Sequence, residues 1–376
     1  MKGLSRHALK RLGTTTILNT LPDGAYITDV DRNILFWNNA AERITGWTRS
    51  EVIGHSCNDN ILVHMDKDGH ELCGKEYCPL HRCIVTGKPS HDPLIVYAKH
   101  RAGNRIPVEV SVSPIQDDDG IVIGGIELFR DLTENMKDLE RAHLIQKAPL
   151  TMEPCPDPRV TLDVRYTPSE MVGGDFYHYA MLSPDLLGVM LADVMGHGVA
   201  SALYSMQLRS LWEDWRGEAG NPAEFLTHIN HQLRILTGDA GYFATALCLN
   251  LNLGSGTVEF VRAGHTAPLH IHPGRPSMAV GESQPALGMF PDVRYTLERL
   301  TLSAGESLLL YTDGAIEITN ADNEELEESG LITLLSEPES LQNGVPQLAV
   351  VEEKLLTYSS SIRLPDDLTL LSITRR

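Results

Sequence analysis

Apolar and polar residues alternate through most of the first third of the chain. The segments AYITDV (25–30) and ILFW (34–37) are separated by the turn residues DRN, and a short helical segment follows from Asn38 to Gly46. Three later segments, LIVYAKH, IPVEVSVSPI and IVIGGIELFRDLT, are joined by turns at Gly103-Asn104 and at DDDG. Alternation broken by turn residues is typical of antiparallel strands. Residues up to about 135 therefore predict an antiparallel sheet with small helices.

The pattern changes to a helical period at residues 131–149, DLTENMKDLERAHLIQKAP. Leu132, Met136, Leu139 and His143 follow each other at intervals of three or four, Asp131 or Thr133 is suited to cap the helix, and Pro149 ends it. Little more than two heptads are present, so two interpretations remain open. One is a monomeric linker helix packed on one domain, and the other is a dimerising helix that transmits a signal.

The proline-rich stretch TMEPCPDPRV marks a domain boundary, and a second set of strands and helices follows it. Helices are predicted at Val199–Trp215, from Pro222 to about Leu236, and over EELEESGLITLLS and PQLAVVEEKLLTYS. The remaining apolar segments predict strands, which are VTLDVRYTP, MVGGDFYHYAMLS, LLGVMLAD, YFATALCLNLN, GTVEFVRAG, PLHIH, SLLLYTDG and LTLLSIT. Paired helices among antiparallel strands favour an α+β fold of two stacked sheets with helices outside.

Length and charge narrow the possible classes of protein. A chain of 376 residues is long enough for two domains. No apolar run reaches the length of a membrane span, and the basic, helical N-terminal segment lacks the apolar core of a signal peptide, so we expect a cytoplasmic protein. The net charge of −19 is concentrated in residues 136–376, which carry 16 basic and 32 acidic side chains. This acidic half disfavours nucleic-acid binding.

Acidic residues stand at the ends of four predicted strands in the second half. Asp175 follows a double glycine, Asp193 ends LLGVMLAD, Asp313 follows SLLLYT, and Asp366 and Asp367 precede LTLLSIT. A carboxylate is costly to bury unless it is paired or binds a cation. Acids from four segments can form an all-oxygen site for Mg²⁺ or Mn²⁺, although each Asp alone could equally cap a turn or a helix.

Four of the six cysteines lie in one short segment of the first half, CNDNILVHMDKDGHELCGKEYCPLHRC. Their spacing is wider than the two-residue gaps of common zinc sites. The cluster suits zinc, an iron–sulfur cluster or a redox-active disulfide, with a haem on a nearby histidine as a further option. The alternative is that these thiols are small buried apolar groups. The candidates are Cys57, Cys73, Cys78 and Cys83.

The first half resembles a PAS sensor domain. The resemblance rests on the order of elements and on NNAAERITGW (38–47), EVIGHS (51–56) and GGIELFRDLTE (124–134). It implies that residues 14–130 form an antiparallel sheet with small helices around a pocket that senses a ligand, redox state or light. Residues 131–150 then form the linker helix.

The second half, residues 151–376, is similar to the SpoIIE-like branch of the metal-dependent (PPM-type) serine/threonine phosphatases. Six motifs in order carry this resemblance: VGGDFY (172–177), ADVMGHG (192–198), FATAL (243–247), AGHTAPL (263–269), YTDGAIE (311–317) and DDLTLL (366–371). It implies an α/β/β/α sandwich. Together with the PAS-like front end, the chain is similar to the RsbU-type regulators of partner switching.

The resemblance implies a role for each acid and a substrate. Asp193 would bridge two Mn²⁺ or Mg²⁺ ions, with Asp175 as the second catalytic residue and a ligand. The further ligands would be the carbonyl oxygen of Val194, Asp313 and Asp366, with Asp367 less expected. A water molecule activated by both metals would attack phosphorus in line. The implied substrate is a phosphoserine or phosphothreonine on a STAS-type anti-sigma factor antagonist, and the implied assembly is a homodimer through the linker helix and the PAS domain.

Two other functions remain open from the sequence. One is a catalytically inactive binding module of the same fold, which the intact acids disfavour. The other is a metal-dependent hydrolase of small phosphate esters. His197 and His265 lie within the motifs near the acids, and His265 could either transfer a proton or serve as a structural hydrogen-bonding residue.

Overall fold

The computed structural model describes residues 13–67, 69–73, 77–90, 94–150, 155–196, 198–215, 220–238, 241–359 and 364–376. The chain divides into two compact units, residues 1–138 and 139–376. Most of the predicted N-terminal lead-in, residues 1–12, lies outside the described residues. No helix in the described part of the chain is long and apolar enough to cross a membrane.

The first unit is built on a five-stranded antiparallel sheet with the strand order β2-β1-β5-β4-β3. Tyr26, Trp37 and Phe129 pack against one another at its centre, with ring centroids 5.5–6.3 Å apart. The alternation in the sequence therefore corresponds to one face of the sheet that is buried. The strands are β1 (Gly24–Asp29), β2 (Ile34–Trp37), β3 (Leu94–Lys99), β4 (Arg105–Gln116) and β5 (Val122–Asp131).

Short helices of the first unit begin and end at capping residues. Asn38 caps the helix that follows it, because its side-chain oxygen accepts a hydrogen bond of 2.7 Å from the N–H of Ala41. Gly46 ends that helix in the left-handed conformation, with φ of 73°. The helices are α1 (Thr14–Asn19), α2 (Asn39–Thr45), α3 (Arg49–Val52) and α4 (Pro79–Thr86).

The predicted linker helix is present as α5 (Thr133–Leu150). The carboxylate of Asp131 accepts a hydrogen bond of 2.8 Å from the N–H of Thr133, as a capping residue at this position should. The helix ends one residue beyond the predicted Pro149. Its N-terminal end lies one residue after β5, the last strand of the first sheet in the chain.

The second unit contains two five-stranded sheets, with the orders β13-β10-β9-β8-β7 and β12-β11-β14-β17-β6. One core lies between the two sheets and beneath the first pair of helices, and a second core lies between the other sheet and the last two helices. The strands are β6 (Val160–Thr167), β7 (Phe176–Ser183), β8 (Leu186–Val194), β9 (Ala244–Asn252), β10 (Thr257–Ala263), β11 (Leu269–Ile271), β12 (Met278–Ala279), β13 (Glu298–Thr301), β14 (Ser307–Tyr311) and β17 (Leu368–Arg375), with the hairpin β15 (Leu341–Gln342) and β16 (Val345–Pro346).

Two helices cover each outer face of this pair of sheets. Leu208 and Trp212 on one helix, and Phe225 and Ile229 on the next, are completely buried against the first sheet. The layers are therefore helix, sheet, sheet, helix, as predicted. The helices are α6 (Val199–Trp215), α7 (Pro222–Thr237), α8 (Glu327–Leu335) and α9 (Leu348–Tyr358).

Candidate metal-binding site

The acidic residues at the four strand ends come from both sheets of the second unit. Asp175 directly precedes β7 and Asp193 lies at the end of β8, and these strands are neighbours in the first sheet. Asp313 follows β14, and Asp366 and Asp367 precede β17, which pairs with β14 in the second sheet. Beyond the effect of burial, the negative charges of Asp313, Asp366 and Asp367 raise the pKa of Asp193. The structure therefore brings the predicted acids of both sheets close to one another.

Asp175 is the most deeply buried of these acids, at 1% exposure. One carboxylate oxygen, Oδ2, accepts hydrogen bonds from the hydroxyl groups of Thr312, at 2.9 Å, and Thr369. The other, Oδ1, is buried without a hydrogen-bonding partner among the described residues. Burial raises the pKa of Asp175, and the negative charges of Asp193 and Asp367 raise it further.

The charged forms of Asp193 and Asp313 are likewise destabilised when no cation is bound to them. Burial and then the charges of Asp313 and Asp366 raise the pKa of Asp193 to about 8. Burial and the charge of Glu317 raise the pKa of Asp313, whose Oδ1 is buried without a partner in the described structure. The charges that most strongly shift the pKa of Asp193 are all negative. Carboxylates held together in this way favour divalent cations.

The two adjacent acids at the start of β17 differ in their contacts. The Oδ1 atom of Asp367 accepts hydrogen bonds from the N–H and the hydroxyl of Ser169, at 2.8 and 3.0 Å. Its Oδ2 atom accepts a hydrogen bond of 2.6 Å from the N–H of Gly174. Asp366 is less buried, and its Oδ1 accepts a hydrogen bond of 2.7 Å from the N–H of Asp367. Asp367 therefore ties the Gly173-Gly174 turn to the second sheet.

The double glycine before Asp175 is required by the close approach of other atoms. A Cβ atom on Gly174 would lie 2.8 Å from the carbonyl oxygen of Val194, and one on Gly173 would overlap the Asp367 carboxylate. Gly196 adopts φ of 84°, which favours glycine. The carbonyl of Val194, a predicted ligand, therefore lies beside the turn that carries Asp175.

Three polar residues at this site were missed by sequence reasoning. Thr312 and Thr369 orient Asp175, and Glu317 adds charge beside Asp313 and Asp193. Glu317 follows Asp313 by four residues, and its N–H donates to the Asp313 carbonyl oxygen at 2.9 Å. This i,i+4 spacing in YTDGAIE is the signal that could have identified Glu317.

The C-terminal half of α5 contacts the turn that carries Asp175. The side chain of Gln146 is buried, and its Nε2 donates hydrogen bonds to the carbonyl oxygen of Gly173, at 2.6 Å, and to the hydroxyl of Ser205, at 3.1 Å. Its Oε1 accepts from the N–H of Gly173 at 3.1 Å. The linker helix is thus anchored to the backbone two residues before Asp175.

Of the two histidines in the phosphatase-like motifs, the structure describes His265. His265 is buried, its Nδ1 lies 2.7 Å from the hydroxyl of Thr245, and burial lowers its pKa to about 3. A neutral, buried imidazole with a hydroxyl partner fits a structural role better than proton transfer. His197 lies outside the described residues.

The four candidate cysteines of the first unit, Cys57, Cys73, Cys78 and Cys83, are all buried and all reduced. The pKa of Cys73 is raised and the pKa of Cys78 is lowered, in each case chiefly by the side chain of the other cysteine. Within the described residues, one group of three potential ligands has its ligand atoms within 4.8 Å of one another, and it lies elsewhere, at His270, His272 and Glu306. There the Nε2 of His270 and the Nδ1 of His272 lie 3.1 and 2.8 Å from the two Glu306 oxygens.

Comparison with known proteins decides the family. Residues 183–376, just over half of the chain, match the model of the family described as stage II sporulation protein E (SpoIIE). The chain belongs to the SpoIIE family. Residues 22–134 match a PAS domain model. The predicted combination of a PAS domain with a SpoIIE-type domain is therefore confirmed.

Several known proteins are similar to parts of this chain. The phosphoserine phosphatase RsbP of Bacillus subtilis is 31% identical over 186 residues, which cover 49% of this chain and 46% of RsbP. The protein IcfG of Synechocystis is 24% identical, over 64% of this chain and 42% of IcfG. The phosphoserine phosphatase RsbU of Bacillus subtilis is 22% identical, over 66% of this chain and 74% of RsbU. The chain thus spans less than half the length of RsbP and IcfG.

Solved structures support the fold of the SpoIIE-type unit. The SiaA-PP2C domain of Pseudomonas aeruginosa superposes with a TM-score of 0.55 at 21% identity, over 65% of this chain and 97% of that domain. The PP2C phosphatase domain of SpoIIE from Bacillus subtilis, solved with a fragment of its regulatory domain, gives a TM-score of 0.51 at 16% identity, over 76% of this chain and 80% of that one. Both confirm the predicted sandwich architecture.

Proposed function

We propose that this SpoIIE-family chain is a metal-dependent protein serine/threonine phosphatase controlled by its PAS domain. The observation that carries the proposal is the group of acids from four strand ends. Their pKa values are raised by burial and mutual repulsion, and buried oxygens of Asp175 and Asp313 have no partner among the described residues. Such a donor set suits Mn²⁺ or Mg²⁺, which prefer oxygen ligands.

Asp193 would be the ligand that two divalent ions have in common. The other proposed ligands are Asp175, Asp313, Asp366 and the carbonyl oxygen of Val194. Two bound ions supply a more acidic water and neutralise the charge of a phosphoryl group. Asp193 and Asp175 are the proposed catalytic residues, and Thr312 and Thr369 hold the Asp175 carboxylate in place. With ions held by these residues, water would attack phosphorus in line, and no covalent intermediate with the protein would be needed.

We further propose a serine-phosphorylated or threonine-phosphorylated STAS-domain protein, an anti-sigma factor antagonist, as the substrate. The family resemblance to RsbU-type regulators and the phosphoserine phosphatase names of two relatives support this assignment. The acidic charge of the SpoIIE-type unit disfavours nucleic acid as a partner. The corresponding location is the cytoplasm.

Control by the PAS domain would pass through α5. This helix follows the last strand of the PAS sheet and reaches the Asp175 turn through Gln146. A shift of the helix would change the backbone position of Gly173 and hence the placement of Asp175. Leu144 and Ile145 on the same helix are 65% and 66% exposed, which favours a homodimer in which two linker helices pair.

The proposal is tested by phosphate release from a serine-phosphorylated STAS protein with Mn²⁺, with and without excess chelator. Release that depends on metal supports the assignment. Metal-dependent hydrolysis of small phosphate esters, without release from the phosphoprotein under the same conditions, would favour the small-molecule hydrolase. Metal binding without any hydrolysis would favour the inactive binding module.

A further inference from the structure

Two histidines and a glutamate lie together at one end of β11 and β14, away from the acids of the proposed phosphatase site. His270 lies on β11, His272 follows that strand, and Glu306 directly precedes β14. Asp313 lies beyond the other end of β14. Since an extended strand rises about 3.3 Å per residue, roughly 20 Å separate Glu306 from Asp313. The group of His270, His272 and Glu306 is therefore distinct from the acids that would hold Mn²⁺ or Mg²⁺.

The alternation of side chains along β11 places both histidines on one face of the strand. Leu269 and Ile271 are completely buried in the core beneath the last two helices. Because successive side chains of a strand point to opposite faces, His270 and His272 lie on the other face. The centroids of their rings are 4.0 Å apart. One short segment thus offers two imidazoles side by side.

The antiparallel pairing of β14 with β11 brings the third member, Glu306, beside both rings. The Nε2 of His270 lies 3.1 Å from Oε2 of Glu306, and the Nδ1 of His272 lies 2.8 Å from Oε1. Oε2 also accepts a hydrogen bond of 2.8 Å from the N–H of Ser303. Hydrogen bonds of this kind orient the ligands of metal sites. The carboxylate is therefore held in position independently of any ion.

The dimensions of the group suit a small divalent ion. The three ligand atoms lie within 4.8 Å of one another. A tetrahedral zinc ion with bonds of about 2.0–2.2 Å holds its ligand atoms about 3.3–3.6 Å apart, so small shifts of the side chains suffice to place an ion between them. The side chains of His270, His272 and Glu306 are 10%, 22% and 16% exposed, so an ion can reach the group from solvent.

The protonation states of two members are also those that metal binding needs. Burial lowers the pKa of His270, which keeps its imidazole neutral. Burial opposes ionisation of Glu306, but hydrogen bonds from the N–H of Ser303 and from the two imidazoles outweigh it and lower the pKa of Glu306 to about 2. Metal ions bind neutral imidazoles and ionised carboxylates. These two residues therefore need not lose a proton from an unfavourable charge state before an ion binds.

We propose that His270, His272 and Glu306 form a binding site for Zn²⁺, with water as the fourth ligand. Two imidazoles and one carboxylate are a known donor set for zinc, whereas Mg²⁺ prefers oxygen ligands alone. The site thus differs in its choice of metal from the acids at the strand ends. A bound ion would tie β11 to the start of β14, the strand that leads to Asp313. It is an accessory site that stabilises the second sheet.

Competition with a chromophoric zinc chelator, on the full-length reduced chain in excess Mg²⁺, tests the proposal. His272→Gln or Glu306→Gln should weaken the tightest zinc binding at least about 100-fold, because a ligand contributes more than an outer-shell partner. His228→Gln, at an exposed histidine on α7, is the matched control and should bind zinc like the unmodified chain. Equal zinc affinity of His272→Gln and the unmodified chain, or no zinc binding by the unmodified chain, would overturn the proposal.

X-ray absorption of the unmodified chain, loaded with one equivalent of Zn²⁺, decides the ligands even if a variant fails to fold. We expect imidazole and oxygen neighbours around the zinc and no sulfur. Sulfur neighbours would place the ion on the cysteines of the first unit and overturn the proposal.

Hydrogen exchange gives a local readout in the same unmodified chain. Zinc should slow the exchange of the amides of β11, because the ion ties this strand to Glu306. Unchanged exchange in β11 at saturating zinc would contradict the site. None of these measurements depends on phosphatase activity, so their result stands apart from the function proposed above.

Discussion

Two neighbouring carboxylates of the site differ in their contacts and therefore in the roles proposed for them. Asp366 and Asp367 are adjacent in sequence, yet Asp367 accepts hydrogen bonds from the N–H groups of Ser169 and Gly174, whereas Asp366 is half-buried and accepts one from the N–H of Asp367. The difference lies in burial and contacts, because Asp367 is buried among N–H donors and Asp366 is only half-buried. Their different contacts are the reason why Asp366, and not Asp367, is proposed as a metal ligand.

Substitution of these two acids should therefore have separable effects. Asp367→Ala leaves buried N–H groups without an acceptor and should lower the free energy of unfolding of the metal-free chain by about 1–3 kcal/mol. Asp366→Ala removes one acceptor at a half-buried position, so it should lower that free energy less than Asp367→Ala does, but it should abolish tight Mn²⁺ binding. Chemical denaturation and calorimetric Mn²⁺ titration measure the two effects. Loss of stability in Asp366→Ala with Mn²⁺ binding retained would reverse the assignment.

Glu127 gives the PAS unit a defined pH dependence. Its pKa is about 8 in the folded chain and about 4.5 when exposed, so the folded state holds the extra proton between these values. The stability contributed by this proton is present at low pH and is lost as the pH rises toward 8. Glu127→Gln should match the unmodified chain near pH 5 and become more stable than it by a few kcal/mol near pH 8.

Hydrogen exchange of the amides of β1 and β5 at pH 5 and pH 8 measures this difference within the PAS unit. Glu109→Gln is the control, because this acid on β4 is accessible and pairs with Arg130 at 3.8 Å. An advantage of Glu127→Gln that is equal at both pH values would contradict the assigned pKa.

Whole elements were easier to predict than the contacts between them. The helix Val199–Trp215 was predicted with the bounds that the structure has, because its apolar period is long and uninterrupted. The short helices α3 and α4 were missed, because a helix of one or two turns is too short to show a clear period of apolar residues. The acids of the site were found because each interrupts the end of an apolar strand.

Side-chain contacts across long sequence separations could not be predicted. Thr369 lies 194 residues from the Asp175 that it binds, and nothing in either local sequence indicates the pair. The same holds for Gln146 and Gly173, which depend on how the linker helix packs. Periodicity describes one element at a time, whereas these contacts depend on the assembled layers.

The anchoring of α5 leads to a prediction at the level of the helix. Gln146→Ala removes the side chain that bonds both the N–H and the carbonyl of Gly173, so the Asp175 turn should lose its fixed position. We expect phosphatase activity to fall about 10–100-fold, as for other groups that orient metal ligands. Glu140→Ala, a change to an exposed residue on the same helix that has no part in the proposed contacts, is the control for activity. Equal activity of the two variants would remove the case for control through this contact.

At the scale of the whole molecule, the linker helix is also the proposed dimer contact. Leu144→Glu places a charge on the exposed apolar face of α5 and should convert a dimer to a monomer in light-scattering measurements. Val85→Glu changes an equally exposed residue on α4 and should leave the mass unchanged. A monomeric unmodified chain at micromolar concentration would contradict the proposed assembly.

The central claim is that the acids of both sheets hold metals that hydrolyse a phosphoprotein. Release of phosphate from a serine-phosphorylated STAS protein, compared between the unmodified chain and Asp193→Asn in Mn²⁺, tests it most directly. Asp322→Asn, at an exposed acid that is not among the proposed ligands, is the matched control. We predict metal-dependent release by the unmodified chain and the control, and a loss of more than about 100-fold in Asp193→Asn. Full activity of Asp193→Asn, or release that survives excess chelator, would contradict the account.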